Sequence, residues 1–111
     1  MALVPKQLVA GGQISDSAAT IYTASNGAAI IKKVTLSNTT GSSRTVDMHI
    51  VAAGGSAAVT NQILEAYAVA ANTTASPDVM VNQIIPKGAF LQALASAASA
   101  ITVIISGVEN Q

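Results

Sequence analysis

The sequence predicts an all-β protein: an antiparallel β-sandwich, jelly-roll-like, of about eight short strands. Three observations carry that prediction. Runs of alternating apolar and polar residues recur along the chain, turn residues separate them at spacings of roughly 8–12 residues, and no stretch sustains a capped three-to-four spacing. At 111 residues the chain has the length of one domain.

Taken in order, Lys6 to Ile14 supplies a first strand, with Gly11-Gly12 as a bulge or bend. Residues 1–16 read as an N-terminal arm or first strand, ahead of a sandwich domain spanning 17–111. Pro5 suits an extended arm reaching onto a neighbouring subunit. Ala19 to Thr23 is a short strand ended by Ser25-Asn26-Gly27. The clearest strand is Ala28 to Asn38, with Ile30, Val34 and Leu36 on one face and Ile31, Lys33, Thr35 and Ser37 on the other.

Asn38-Thr39-Thr40-Gly41-Ser42 then reads as a hairpin turn, because Asn and Gly tolerate positive φ. Its partner strand is Arg44 to Val51, where Val46, Met48 and Ile50 point in while Thr45, Asp47 and His49 point out. Ala53-Gly54-Gly55-Ser56 forms a loop, and a strand follows from Gln62 to Ala70, with a short helix an alternative near Val59 to Glu65. Asn72 to Pro77 is a loop, Asp78 to Ile85 a strand and Pro86-Lys87-Gly88 a tight turn. Phe90 to Ala95 and Ala100 to Val108 make the final pair. Alanine favours helix intrinsically, but Leu94 to Ala100 lacks caps and helical spacing and is read as strand.

Half of the residues are hydrophobic, which excludes a disordered tail. The five basic and five acidic side chains cancel, so no clustered charge exists to hold nucleic acid. The adjacent Lys32 and Lys33 point to opposite faces of a strand, one solvated and one snorkelling. No apolar run is long enough for a transmembrane helix, and Met1 to Lys6 does not resemble a secretory signal, so no membrane partner is expected. The lack of cysteine fits synthesis in a reducing cytosol and leaves no disulfide to support the fold. Alanine fills 22 positions, against one Phe and two Tyr, so each core residue buries little area. The sheets must lie close together, or neighbouring subunits must supply part of the core.

Candidate chemistry is sparse. His49 is the sole imidazole, which excludes a zinc site built from several His or Cys ligands. Asp47 shares its face, yet no nucleophile elbow accompanies the pair, so His49 reads as a solvent-facing or interface residue. The acids Asp16, Asp47, Glu65, Asp78 and Glu109 are scattered, without calcium-loop spacing. Gly11-Gly12 and Gly54-Gly55 lack the Lys-Ser/Thr of a phosphate loop, and Tyr22, Tyr67 and Phe90 are too dispersed for a base-stacking platform. No catalytic, cofactor-binding or metal-binding residue is assigned, and no enzyme activity or cofactor is expected.

Two stretches carry a resemblance. One runs Thr20-Ile21-Tyr22-Thr23-Ala24, then Ala29-Ile30-Ile31-Lys32-Lys33-Val34-Thr35-Leu36-Ser37-Asn38-Thr39-Thr40-Gly41; the other runs Gly88-Ala89-Phe90-Leu91-Gln92-Ala93-Leu94-Ala95-Ser96, then Val103-Ile104-Ile105-Ser106-Gly107-Val108-Glu109. Together they resemble small β-sandwich virion structural proteins of tailed bacteriophages, over residues 18 to 109. The resemblance implies a noncatalytic protein, made in the host cytoplasm, that assembles on the virion. It favours a capsid decoration (cement) protein acting as a homotrimer on the major capsid protein or other virion proteins. The alternative is a tail or fibre component, such as an adaptor or host-binding module.

Overall fold

The computed structural model describes residues 3–110. Nine strands form: β1 (Leu3–Gln13), β2 (Ala19–Thr23), β3 (Ala29–Asn38), β4 (Arg44–Val51), β5 (Gln62–Val69), β6 (Thr74–Ala75), β7 (Ile84–Ile85), β8 (Phe90–Ala95) and β9 (Ile101–Asn110). Two single-turn 3-10 helices, Val59–Asn61 and Asp78–Met80, interrupt the connections. One sheet has the order β1-β9-β3, with β6 and β7 pairing separate stretches of the far edge of β3. The other has the order β2-β8-β4-β5. All described pairings are antiparallel. With β6 and β7 taken as one broken strand, this is the eight-strand, two-sheet order of a jelly roll, as the sequence predicts.

The chain changes sheet at nearly every connection, and that overturns two of the expected pairings. β3 and β4 do not form a hairpin: β3 pairs with β9, β6 and β7, whereas β4 pairs with β8 and β5. The Asn38–Ser42 segment is instead an arch carrying the chain across the sandwich. Asn38 is 2 % exposed and holds the arch from within. Its Oδ1 accepts from the Thr40 amide and hydroxyl, and its Nδ2 donates to the Ser42 and Val69 carbonyls, so all its polar capacity is used locally. β8 and β9 likewise lie in different sheets, so the expected final pair is also an arch. The hairpin that does form joins β4 to β5.

Two further boundaries differ. Asp78–Ile85 is not one strand but a 3-10 turn followed by the two-residue β7, because Asn82 sits at φ 66 and the chain leaves the extended region. The Val59–Glu65 region gives one helical turn before β5 begins. Of the two readings of the N-terminal segment, Leu3–Gln13 forms a strand. It pairs with β9 along its length and contributes Leu8 to the core.

A bulge in β3 corrects the assignment of faces. Ile31 lies opposite Gly107 and Lys33 opposite Ser106, so Lys32 is an extra residue. The pleat changes phase there. Ala29 and Ile31 face inward before it, Val34 and Leu36 after it, and Ile30 turns outward. Lys32 and Lys33 are both exposed, with Lys32 Nζ donating to Asn82 Oδ1 at 2.9 Å. In β4 the alternation holds: Val46 and Met48 are fully buried, and Ile50 packs half-buried against the core.

The interior is filled mainly by Ile, Leu, Val and Met, among them Ile14, Ile31, Leu36, Met48, Met80, Leu91 and Ile105. Ala24, Ala29, Ala89, Ala93 and Ala95 are buried among them in the same core. The radius of gyration, 13.3 Å, is that of a closed domain of this length.

Gly107 is one of two glycines, with Gly27, at which backbones approach too closely for a side chain. A Cβ there would stand 2.2 Å from the Ile30 carbonyl oxygen and 2.9 Å from Leu8 Cδ1. Gly107→Ala must push β3 away from β9, and the expected loss is about 1–3 kcal/mol or more, read from the denaturant midpoint.

Candidate functional site

Besides Asn38 in the arch, two polar residues are buried, against the expectation of a chemically empty surface. The first is His49, which is 7 % exposed. It points outward from β4 as the alternation requires, but the loop that follows the strand folds back over it. His49 Nδ1 lies 3.1 Å from the Ala58 carbonyl and 3.0 Å from Asn61 Oδ1. Both are acceptors, so Nδ1 carries the proton. Asn61 completes the loop by accepting from the Ala58 amide and donating to the Ser56 carbonyl. Asp47, also on the outer face, accepts from the Ala66 amide rather than facing the imidazole. His49 is thus a loop anchor, and the solvent-facing expectation is corrected. His49→Ala should cost about 1–3 kcal/mol, because it strands the Asn61 and Ala58 acceptors. Chemical denaturation measures the loss, and faster hydrogen exchange confined to residues 52–61 locates it.

The second group, more elaborate, stands at the sandwich rim. Glu109 on β9 is 2 % exposed. Its neighbours come from three segments far apart in sequence. Tyr22 on β2 donates its hydroxyl to Glu109 Oε2. Lys6 on β1 lies 3.3 Å from Oε1, and Asn26 Nδ2, in the β2–β3 turn, lies 3.5 Å from the same oxygen. Local geometry explains the meeting. Lys6 is paired with Gly107, whose missing side chain lets the lysine lean toward Glu109. Gly27 fixes the turn that presents Asn26, since a Cβ there would be 2.2 Å from the Asn110 carbonyl.

Burial pushes the Tyr22 hydroxyl above its ordinary range, and the hydrogen bond to Glu109 and that residue's charge push it further. The phenol therefore remains a donor. In the sequence Glu109 stands among scattered acids, and the two stretches that carry the resemblance contain Tyr22 and Glu109 without disclosing that they meet. Among the described residues no group of three metal-ligating side chains forms, and no helix is long and apolar enough to cross a membrane.

No protein-family model matches this chain, and no curated protein matches its sequence. Solved structures share its fold. One comes from Bacillus endospore appendages, described as a family of disulfide-linked pili; it is 20% identical, with a TM-score of 0.54 over 96% of this chain and 85% of that one. Another is a chain of infectious bursal disease virus, Gx strain, 14% identical, with a TM-score of 0.54 over 96% of this chain. This chain spans 30% of that viral chain. At these identities the likeness is one of fold: a β-sandwich also used by proteins of a pilus and a virus. This chain has no cysteine, so the disulfide linkage of those pili is not open to it.

Tyr22→Phe should cost about 1–3 kcal/mol by leaving Glu109 Oε2 without its hydroxyl donor. The Tyr22 pKa is raised on folding, so the unfolded chain releases this proton first as pH rises. Its contribution is present in full below pH about 10 and falls progressively as pH rises from there toward the raised value in the folded chain. Unfolding midpoints measured from pH 8 to 11 should converge for wild type and Tyr22→Phe as alkali increases.

Proposed function

We propose that this protein is a noncatalytic structural component of a bacteriophage virion, most fittingly a capsid decoration protein that adheres to the head shell as a homotrimer. The observation that carries the reading is a row of apolar residues on the outer face of the β1-β9-β3 sheet. Pro5, Val108, Ile30 and Ile84 lie side by side across β1, β9, β3 and β7. Ile84 is 57% exposed, and Ile104 on β9 adds a further outward apolar side chain, 36% exposed. A soluble chain gains from covering such a row.

Net charge of zero supports the same reading, since no repulsion opposes close approach to a shell or to further copies. Fold likeness to chains of a pilus and of a virus supports an assembling role, and the sequence resemblance supports the phage setting. Stable interfaces usually bury about 1,200–2,000 Å² in total, and a sheet face of a chain this size can supply its half. The alternative reading, a tail or fibre component, differs in abundance rather than in chemistry.

The reading is tested on purified particles. A decoration protein should be present in many copies, comparable with the shell protein on a stained gel, whereas a tail component should be scarce. Ile84→Glu or Ile30→Glu should abolish binding to undecorated shells while leaving the fold intact by circular dichroism. Absence from particles, or undiminished binding by both variants, rejects the assignment.

A further inference from the structure

The rim cluster contains more than an ion pair. An amine, a primary amide and a buried carboxylate have been brought together from β1, the β2–β3 turn and β9. Lys6 Nζ and Asn26 Nδ2 both touch one oxygen, Glu109 Oε1, at 3.3 and 3.5 Å. These are the groups needed to exchange one amide for another. We propose that Lys6 and Asn26 join in an intramolecular isopeptide bond, with Glu109 as the proton carrier.

The step balances within the chain. Glu109 takes a proton from the Lys6 ammonium, and the freed lone pair on Nζ attacks Cγ of Asn26. The new Nζ–Cγ bond forms a tetrahedral centre. Glu109 Oε1 then passes its proton to Nδ2, and the Cγ–Nδ2 bond breaks. A second proton leaves Nζ by the same oxygen, so Nδ2 departs as ammonium and Glu109 returns to a carboxylate. No oxidant, reductant or cofactor enters.

The surroundings favour each part. Glu109 is 2 % exposed, so the oxygen that would carry the protons is shielded from bulk water, while the Lys6 side chain, 42% exposed, reaches it from the rim. Tyr22 occupies Oε2, which leaves Oε1 to face both nitrogens. The close contact of Gly27 with Asn110 holds the Asn26 turn in place, and proximity of this kind is what converts a slow encounter into an intramolecular step. The product would tether the edge strand β1 to the turn leading out of β2. A staple there restricts the unfolded chain much as a disulfide does, in a protein that has no cysteine.

Intact-mass measurement of the purified full-length protein, after incubation at mildly alkaline pH, tests this. The expected result is the loss of one ammonia, with proteolysis yielding a branched peptide that joins Lys6 to Asn26. Lys6→Arg keeps the positive charge and the fold but cannot give the product, so its mass should match its sequence. Glu109→Gln should also lack the bond; if that variant fails to fold, Lys6→Arg still decides. Asn26-Gly27 can lose ammonia on its own through a cyclic imide with the Gly27 nitrogen. Ammonia loss that persists in Lys6→Arg, or an intact mass equal to the sequence, overturns the proposal.

Discussion

The central strand Ile101–Asn110 is the one on which the rest of the sandwich depends. It is paired on both sides, with Leu3–Gln13 and with Ala29–Asn38, so the last strand joins the first to the third. Neither neighbour can complete its ladder until β9 has been made and placed. Nearly all of this pairing is distant in sequence, which makes the loop-closure cost large before any contact rewards it. The close approach at Gly107 and the buried carboxylate of Glu109 lie on this same strand. Errors there propagate to both sheets, because Glu109 is bonded to Tyr22 of the opposite sheet.

What the sequence discloses, and what it hides, follows from the range of each interaction. Alternation is a local property, so Ala19–Thr23, Arg44–Val51 and Phe90–Ala95 can be read with their ends correct. Pairing is not local. Asn38-Thr39-Thr40-Gly41 has the composition of a hairpin turn, yet the same residues serve an arch when Asn38 turns inward to bond Val69 and Ser42. The extra residue Lys32 is invisible as a pattern break because Ile30 and Ile31 are equally apolar. His49 is buried by a loop that arrives after its strand, which strand periodicity does not register. The rim cluster is the extreme case: Lys6, Tyr22, Asn26 and Glu109 span almost the whole chain, and only the jelly-roll order brings them together.

The edges of the sheets bear on how such a molecule can associate. An exposed edge is a template for another strand unless it is blunted. β1 carries Pro5, Lys6 and two register shifts, with Gly11 at φ 130. The opposite edge of that sheet is divided between the two-residue strands β6 and β7. In the second sheet β2 is five residues long with a bulge, and β5 is interrupted where Ala66 takes positive φ. Growth by strand addition is disfavoured at every one of these edges. The faces are the surfaces left for the proposed association, and the two are not alike. The β2-β8-β4-β5 sheet has part of its outer surface covered by its own 52–61 loop, held down by His49 and Asn61. The β1-β9-β3 sheet leaves Ile84, Ile30 and Val108 aligned on its outer face, and the proposed adhesion rests on that side.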